Sequence, residues 1–184
     1  MIDSLMTSPT RRRDRRRRAA AVLLGVAIAV IAHGAGAQQS TAATYEDWTL
    51  RCSMSASTPP QKSCEIEQLS HLQNKEQPFS RVAIPRPAKG EPVILAVQVP
   101  VNVWLATGIR IEIGGKNAGL SVPFTRCGPA GCFASITLSD ATMQTFRAGT
   151  APAAIVFANV AQQPVTIPLS FKGFNQALDA LGRE

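Results

Sequence analysis

The side chains with the most chemical capacity in this 184-residue chain are its four cysteines, Cys52, Cys64, Cys127 and Cys132. Cys127 and Cys132 enclose Gly128-Pro129-Ala130-Gly131, which invites comparison with the close thiol pairs of exported oxidoreductases. Reactive pairs of that kind are separated by two residues at a helix N-terminus, where the dipole lowers a thiol pKa. Here the gap holds turn residues instead, so a bridged hairpin is the preferred reading. A four-thiolate zinc site would require the short two-to-four-residue spacing in both pairs, and the sequence does not show it twice over. Four cysteines allow three pairings. Proximity favours Cys52 with Cys64 and Cys127 with Cys132, because each intervening segment carries turn residues that bring its ends together, Ser53, Pro59 and Pro60 in the first and Gly128, Pro129 and Gly131 in the second.

Beyond residue 38 the only histidine is His71, with no partner motif beside it. The sequence contains neither G-x-S-x-G nor H-E-x-x-H, and no glycine-rich phosphate loop precedes a helix. Asp47, Glu65, Glu67, Glu91 and Glu112 are dispersed, and nothing in their spacing pairs two carboxylates for glycoside cleavage. The chain therefore reads as a non-enzyme, with no catalytic, cofactor or metal residues expected.

The strongest targeting signal lies at the N-terminus. Arg11 to Arg18, RRRDRRRR, precedes the uninterrupted apolar run Ala19 to Ala32 and then the small residues Ala35-Gly36-Ala37 before Gln38. A positive segment, a short apolar segment and an A-x-A end form a secretory signal peptide, so residues 1–37 are expected to be a leader cut between Ala37 and Gln38. The alternative is an uncleaved anchor, because the apolar run extended through Ala37 approaches the ~20 residues that span a bilayer; His33 and three glycines weaken it. A twin-arginine route is less favoured, since the large apolar pair that follows its arginines is missing. Seven of the nineteen Lys+Arg and two of the twelve Asp+Glu fall before residue 38, leaving twelve basic and ten acidic side chains. The pI near 9.8 thus belongs mostly to the leader, and the scattered bases of the remainder do not make a nucleic-acid surface. The even cysteine count after the leader fits an oxidising compartment.

Residues 38–46 are small and polar and read as a flexible tail, with a single domain over 47–184. Trp48, Leu50 and Cys52 alternate as in a half-buried strand, and Cys64, Ile66 and Gln68 share one face of the next, placing Glu65, Glu67 and Leu69 on a solvated face. Further strands are expected at Arg81 to Ile84, Pro92 to Val99, Gly108 to Ile113, Leu120 to Arg126, Ala153 to Val160 and Val165 to Leu169, and a short helix capped by Ser139-Asp140 runs to Arg147. Phe171, Phe174, Leu178 and Leu181 recur at helical spacing, so Lys172 to Leu181 is expected to be an amphipathic terminal helix stopped by Gly182. About eight strands at short intervals give an all-β antiparallel sandwich.

Read together and in order, W48-T-L-R-C52, C64-E-I-E-Q68, VQVPVNVWLATGIRIEI (97–113), PFTRCGPAGCFA (123–134) and LSFKGFNQAL (169–178) resemble the invasion-associated locus B family of bacterial envelope proteins. The sequence departs from the family pattern at Asn102 and Gly114, both expected to be turn positions tolerant of a left-handed backbone. The resemblance implies an immunoglobulin-like β-sandwich, a periplasmic or outer-envelope location in a Gram-negative bacterium, and, for some pathogenic members, a role in entering host cells such as erythrocytes. It transfers no catalytic residue; the four cysteines carry over as structural residues. The expected role is binding to an envelope or host-surface protein through sandwich edges or end loops. The alternatives are an exported thiol redox factor using Cys127 and Cys132, or a periplasmic assembly or stress accessory.

Overall fold

In the computed structural model, which describes residues 40–73, 76–115, 119–149 and 151–184, the alternating patterns become two antiparallel sheets facing each other. The expected leader and its cleavage site at Ala37 and Gln38 lie outside the described residues. The chain begins with β1 (Ser40–Tyr45), β2 (Trp48–Met54), β3 (Lys62–His71), β4 (Pro78–Pro85) and β5 (Ile94–Val99). A single turn of 3-10 helix (Leu105–Thr107) leads to β6 (Ile109–Ile113), β7 (Leu120–Val122), β8 (Phe124–Gly128) and β9 (Gly131–Thr137). Helix α1 (Asp140–Arg147), β10 (Ala153–Ala158), β11 (Pro164–Leu169) and helix α2 (Phe174–Arg183) complete it. The larger sheet runs β1-β2-β3-β4-β5-β9-β8 and the smaller β11-β10-β6-β7.

Period-two alternation fills the space between them. Trp48, Leu50 and Cys52 on β2, Val82 and Ile84 on β4, Leu95, Val97 and Val99 on β5, and Ile109 and Ile111 on β6 are all buried. At about 1.5–3 kcal/mol for each large side chain withdrawn from water, this interior is the main favourable term. β11 packs on β3 and β7 on β9, while α2 packs against β2 and β3 and borders β1.

The terminal helix is anchored by aromatics. The Trp48 ring meets Phe174 edge-on at 5.1 Å, and Phe146 of α1 stacks within 5.2 Å of Phe171 and 6.1 Å of Phe174. Gly173 makes this possible: its φ is +77°, and a Cβ there would fall 1.8 Å from the Tyr45 carbonyl oxygen. Beside it, Trp48 Nε1 donates to the Ser170 carbonyl at 2.8 Å, and the Gln68 amide both donates to that carbonyl and accepts from the Ser170 N–H. These bonds satisfy polar groups that the helix and sheet enclose.

Four expectations need correction. Ser40–Tyr45, expected within a flexible tail, is a strand, because its main chain completes six consecutive pairs with β2. The expected strand from Leu120 to Arg126 is broken at Pro123, whose missing N–H ends the pairing with β6 and lets the chain cross to the other sheet as β8. The terminal helix starts at Phe174 behind Gly173 and continues through Gly182 to Arg183, since a glycine in a last turn weakens a helix without ending it. Glu67 is buried, not solvated, because Arg51 and Arg81 fold across it. By contrast, α1 has the expected bounds, with the Ser139 hydroxyl accepting from the Thr142 N–H at 3.2 Å. Asn102 (φ +69°) and Gly114 (φ +68°) both occupy the left-handed region.

Candidate functional site

The four cysteines are engaged in structure. Cys52 lies directly opposite Cys64 on β2 and β3, and Cys127 opposite Cys132 on β8 and β9, with both pairs joined as disulfides. Cys52, Cys64 and Cys132 are buried, and Cys127 is exposed. Neither bridge abuts a helix N-terminus of the kind that activates a thiol. The Glu184 carboxylate lies within 4.8 Å of Cys52 and Cys64, but their sulfurs are spent on each other. His71 stands exposed at the last position of β3, opposite Pro78.

The expected solvated face of β3 is instead a charge cluster. Glu67 accepts from Arg51 Nε at 3.0 Å and from Arg81 Nε, while Arg81 also reaches Glu65. Burial works against the Arg81 charge, but its bonds to Glu67 and Glu65 outweigh that and raise its pKa above the ordinary arginine value. Both glutamates are thus ion-paired with arginine.

What remains distinctive is one end of the sandwich. In the larger sheet β3, β5 and β8 finish there and β4 and β9 begin there, as the register of its antiparallel pairs requires; the β10–β11 loop of the smaller sheet joins them, with Asn159 bridged to Val103 of the β5–β6 loop. Seven large apolar side chains are exposed among the described residues, and six belong to this end: Leu69, Leu72, Val101, Trp104, Leu105 and Val160. Only Ile94 stands at the opposite end. Main-chain bonds bring two of the loops together, with Trp104 N–H donating to the Ala158 carbonyl at 2.8 Å and Val160 N–H to that of Asn102 at 3.1 Å. Val103, between them, is buried beneath and fixes the loop to the core.

Beside this patch a cleft of about 600 Å³ opens between β4 and β5. These strands pair only over Arg81–Gln98, Val82–Val97 and Ala83–Ala96, and then separate. Leu72, Pro78, Phe79, Val99 and Pro100 contribute apolar surface to its wall. The polar groups nearby are largely satisfied: Arg81 is ion-paired, and Gln98 Nε2 donates to the Ala130 carbonyl at 2.7 Å. Ser80, also in the lining, is buried, and its hydroxyl has no hydrogen-bond partner among the described residues. Exposed apolar patches rimmed by polar groups mark contact surfaces on soluble domains. Sequence reasoning named end loops in general but not these residues, which lie between positions 69 and 160 and are united only by topology.

Comparison with known proteins bears on the same domain. The family model described as "Invasion associated locus B (IalB) protein" matches residues 48–182. Two curated relatives, both named Invasion protein B homologues and from Brucella abortus strains 2308 and 9-941, are each 31% identical over 140 residues, covering 75% of this chain and 77% of their own length. Among solved structures, the crystal structure of invasion associated protein B from Bartonella henselae superposes with a TM-score of 0.63 at 20% identity, over 78% of this chain and 95% of that one.

Proposed function

Since the chain belongs to the invasion-associated locus B family, we propose that it is a non-enzymatic exported envelope protein that works by binding another protein, with the apolar end of its sandwich as the contact surface. The observation that carries this reading is the gathering of Leu69, Leu72, Val101, Trp104, Leu105 and Val160 at one end, beside an apolar cleft. Leaving these side chains in water forgoes burial worth about 1.5–3 kcal/mol each, a cost a partner would recover. Trp104 is the expected anchor, because tryptophan is enriched among residues that dominate binding energy. The Arg-rich leader and the two disulfides support a periplasmic or outer-surface location. Its relatives are named as invasion proteins, and a host-surface protein is accordingly one class of partner to test.

Replacing Trp104, Leu105 and Val160 together with serine tests the reading in exported protein with both disulfides intact. The expected result is an unchanged thermal midpoint together with loss of the discrete crosslinked complexes that the unaltered protein forms in intact envelope. Complexes that persist at full yield would place the contact elsewhere, and co-sedimentation with protein-free lipid vesicles would replace the protein partner with a membrane. The thiol redox alternative is met by no comparable feature, because both cysteine pairs sit directly opposite each other within antiparallel ladders.

A further inference from the structure

Every open sheet has edges whose unpaired N–H and C=O groups invite another strand, and proteins blunt them with proline, charge, bulges or short length. The two sheets end on four strands, β1 and β8 in the larger and β11 and β7 in the smaller. Three of these carry such a device. β11 has Pro164 and Pro168 among its six residues. β8 has a register shift between Phe124 and Arg126, with the Arg126 guanidinium laid 4.1 Å from the Phe133 ring centre. β7 is only three residues long.

β1 has none of them. Its sequence, Ser-Thr-Ala-Ala-Thr-Tyr, contains no proline and no charge, and it pairs with β2 over six consecutive positions without a shift. Ser40 to Thr44 are exposed, and among the described residues the strand is covered at its Tyr45 end, where Gly173 packs on the Tyr45 carbonyl. The outward main-chain groups of Ser40 to Thr44 are thus a regular strand-pairing surface.

We propose that this edge pairs with the same edge of a second copy, joining two seven-stranded sheets antiparallel into one continuous sheet. Such a contact is isologous, with its two-fold axis perpendicular to the sheet. Directly opposed residues must then lie on the same face, which allows Ala42 opposite Ala42 with Ser40 opposite Thr44, or Ala43 opposite Ala43 with Thr41 opposite Tyr45. Both registers oppose small or hydroxyl-bearing neutral residues, and neither sets like charges together. The nearest charge one strand back is Arg51, the β2 partner of Ala42, which is already bonded to Glu67. A charged peptide would find no complement on β1, whereas β1 itself meets no repulsion. A six-residue strand pair buries little surface compared with a permanent dimer, so the association is weak and concentration-dependent.

Sedimentation equilibrium of the exported, oxidised protein over a wide concentration range tests this, together with amide exchange at Ser40 to Thr44. The expected result is a monomer–dimer equilibrium in which protection of those amides rises with concentration. Ala42→Pro and Ala43→Pro are then compared. By the alternation of an antiparallel ladder, one of these residues directs its N–H to β2 and the other outward. The outward variant should weaken the dimer at least about tenfold, equivalent to about 1.4 kcal/mol, with its melting temperature unchanged. If both variants lose the dimer through local unfolding of β1, concentration-dependent protection in the unaltered chain still upholds the pairing. A chain that stays monomeric throughout, or a dimer that survives both prolines and leaves β1 exchange unchanged, overturns it.

Discussion

Removing the two disulfides separately, by Cys→Ala pairs, distinguishes structural staples from a redox centre and yields numbers that follow from the fold. Alanine is the appropriate replacement, because Cys132, Cys52 and Cys64 are buried, and serine would add an enclosed hydroxyl costing about 1–3 kcal/mol if unpaired. The bridges close loops with sequence separations of 12 for Cys52–Cys64 and 5 for Cys127–Cys132. On the chain-entropy model those lengths correspond to about 3 kcal/mol for the first and about 2 kcal/mol for the second. For a domain of this size each kcal/mol moves the thermal midpoint by about 3 °C, so decreases of about 9 °C and about 6 °C are expected. The assay is thermal unfolding without reductant, run beside a dithiol-exchange assay on a reduced, unfolded substrate. Two folded variants with lowered midpoints and no exchange activity in the unaltered protein are the predicted outcome. A Cys127→Ala/Cys132→Ala variant of undiminished stability, coupled with loss of a measurable exchange activity, would falsify the structural assignment.

Other consequences are as specific. Gly173→Ala should cost about 2–5 kcal/mol, combining left-handed strain with a clash against the Tyr45 carbonyl, measurable as a lowered denaturation midpoint. Phe174→Ala should cost about 3–5 kcal/mol, because it opens a cavity among Trp48, Phe146 and Phe171. Arg81→Met should cost about 1–3 kcal/mol by stripping a partner from buried Glu67, and adding Glu67→Leu should recover part of that loss; a double variant weaker than the sum of the singles would contradict the pairing. Mild reductant should open Cys127–Cys132 before Cys52–Cys64, since Cys127 alone is exposed, and mass spectrometry after thiol labelling would report the order.

The parts of the fold legible in the sequence were those where a residue's neighbours in the chain are also its neighbours in space. Ile109 and Ile111 alternate with Arg110 because a half-buried strand demands it, and both cysteine pairs close locally because turn residues lie between them. Ser139 announced α1 by the same locality. What escaped was set by distant parts of the chain. Ser40–Tyr45 carries no apolar alternation, and its order comes from the β2 ladder and from Gly173, more than a hundred residues later. Glu67 looked solvated because nothing near it in sequence reveals that Arg51 and Arg81 will cover it. The apolar end is the extreme case: Leu72, Trp104 and Val160 are unremarkable singly, and only the direction of each strand brings them to one surface.

Contact between this end and a partner protein is tested by placing a photo-crosslinking amino acid at Trp104, at Val160 and at Ile94 and irradiating intact envelopes. Ile94 is the natural control, being an exposed apolar residue at the opposite end of the sandwich. A single discrete protein adduct from positions 104 and 160, absent from position 94, is predicted. Equal adducts from all three positions, or adducts from position 94 alone, would contradict it.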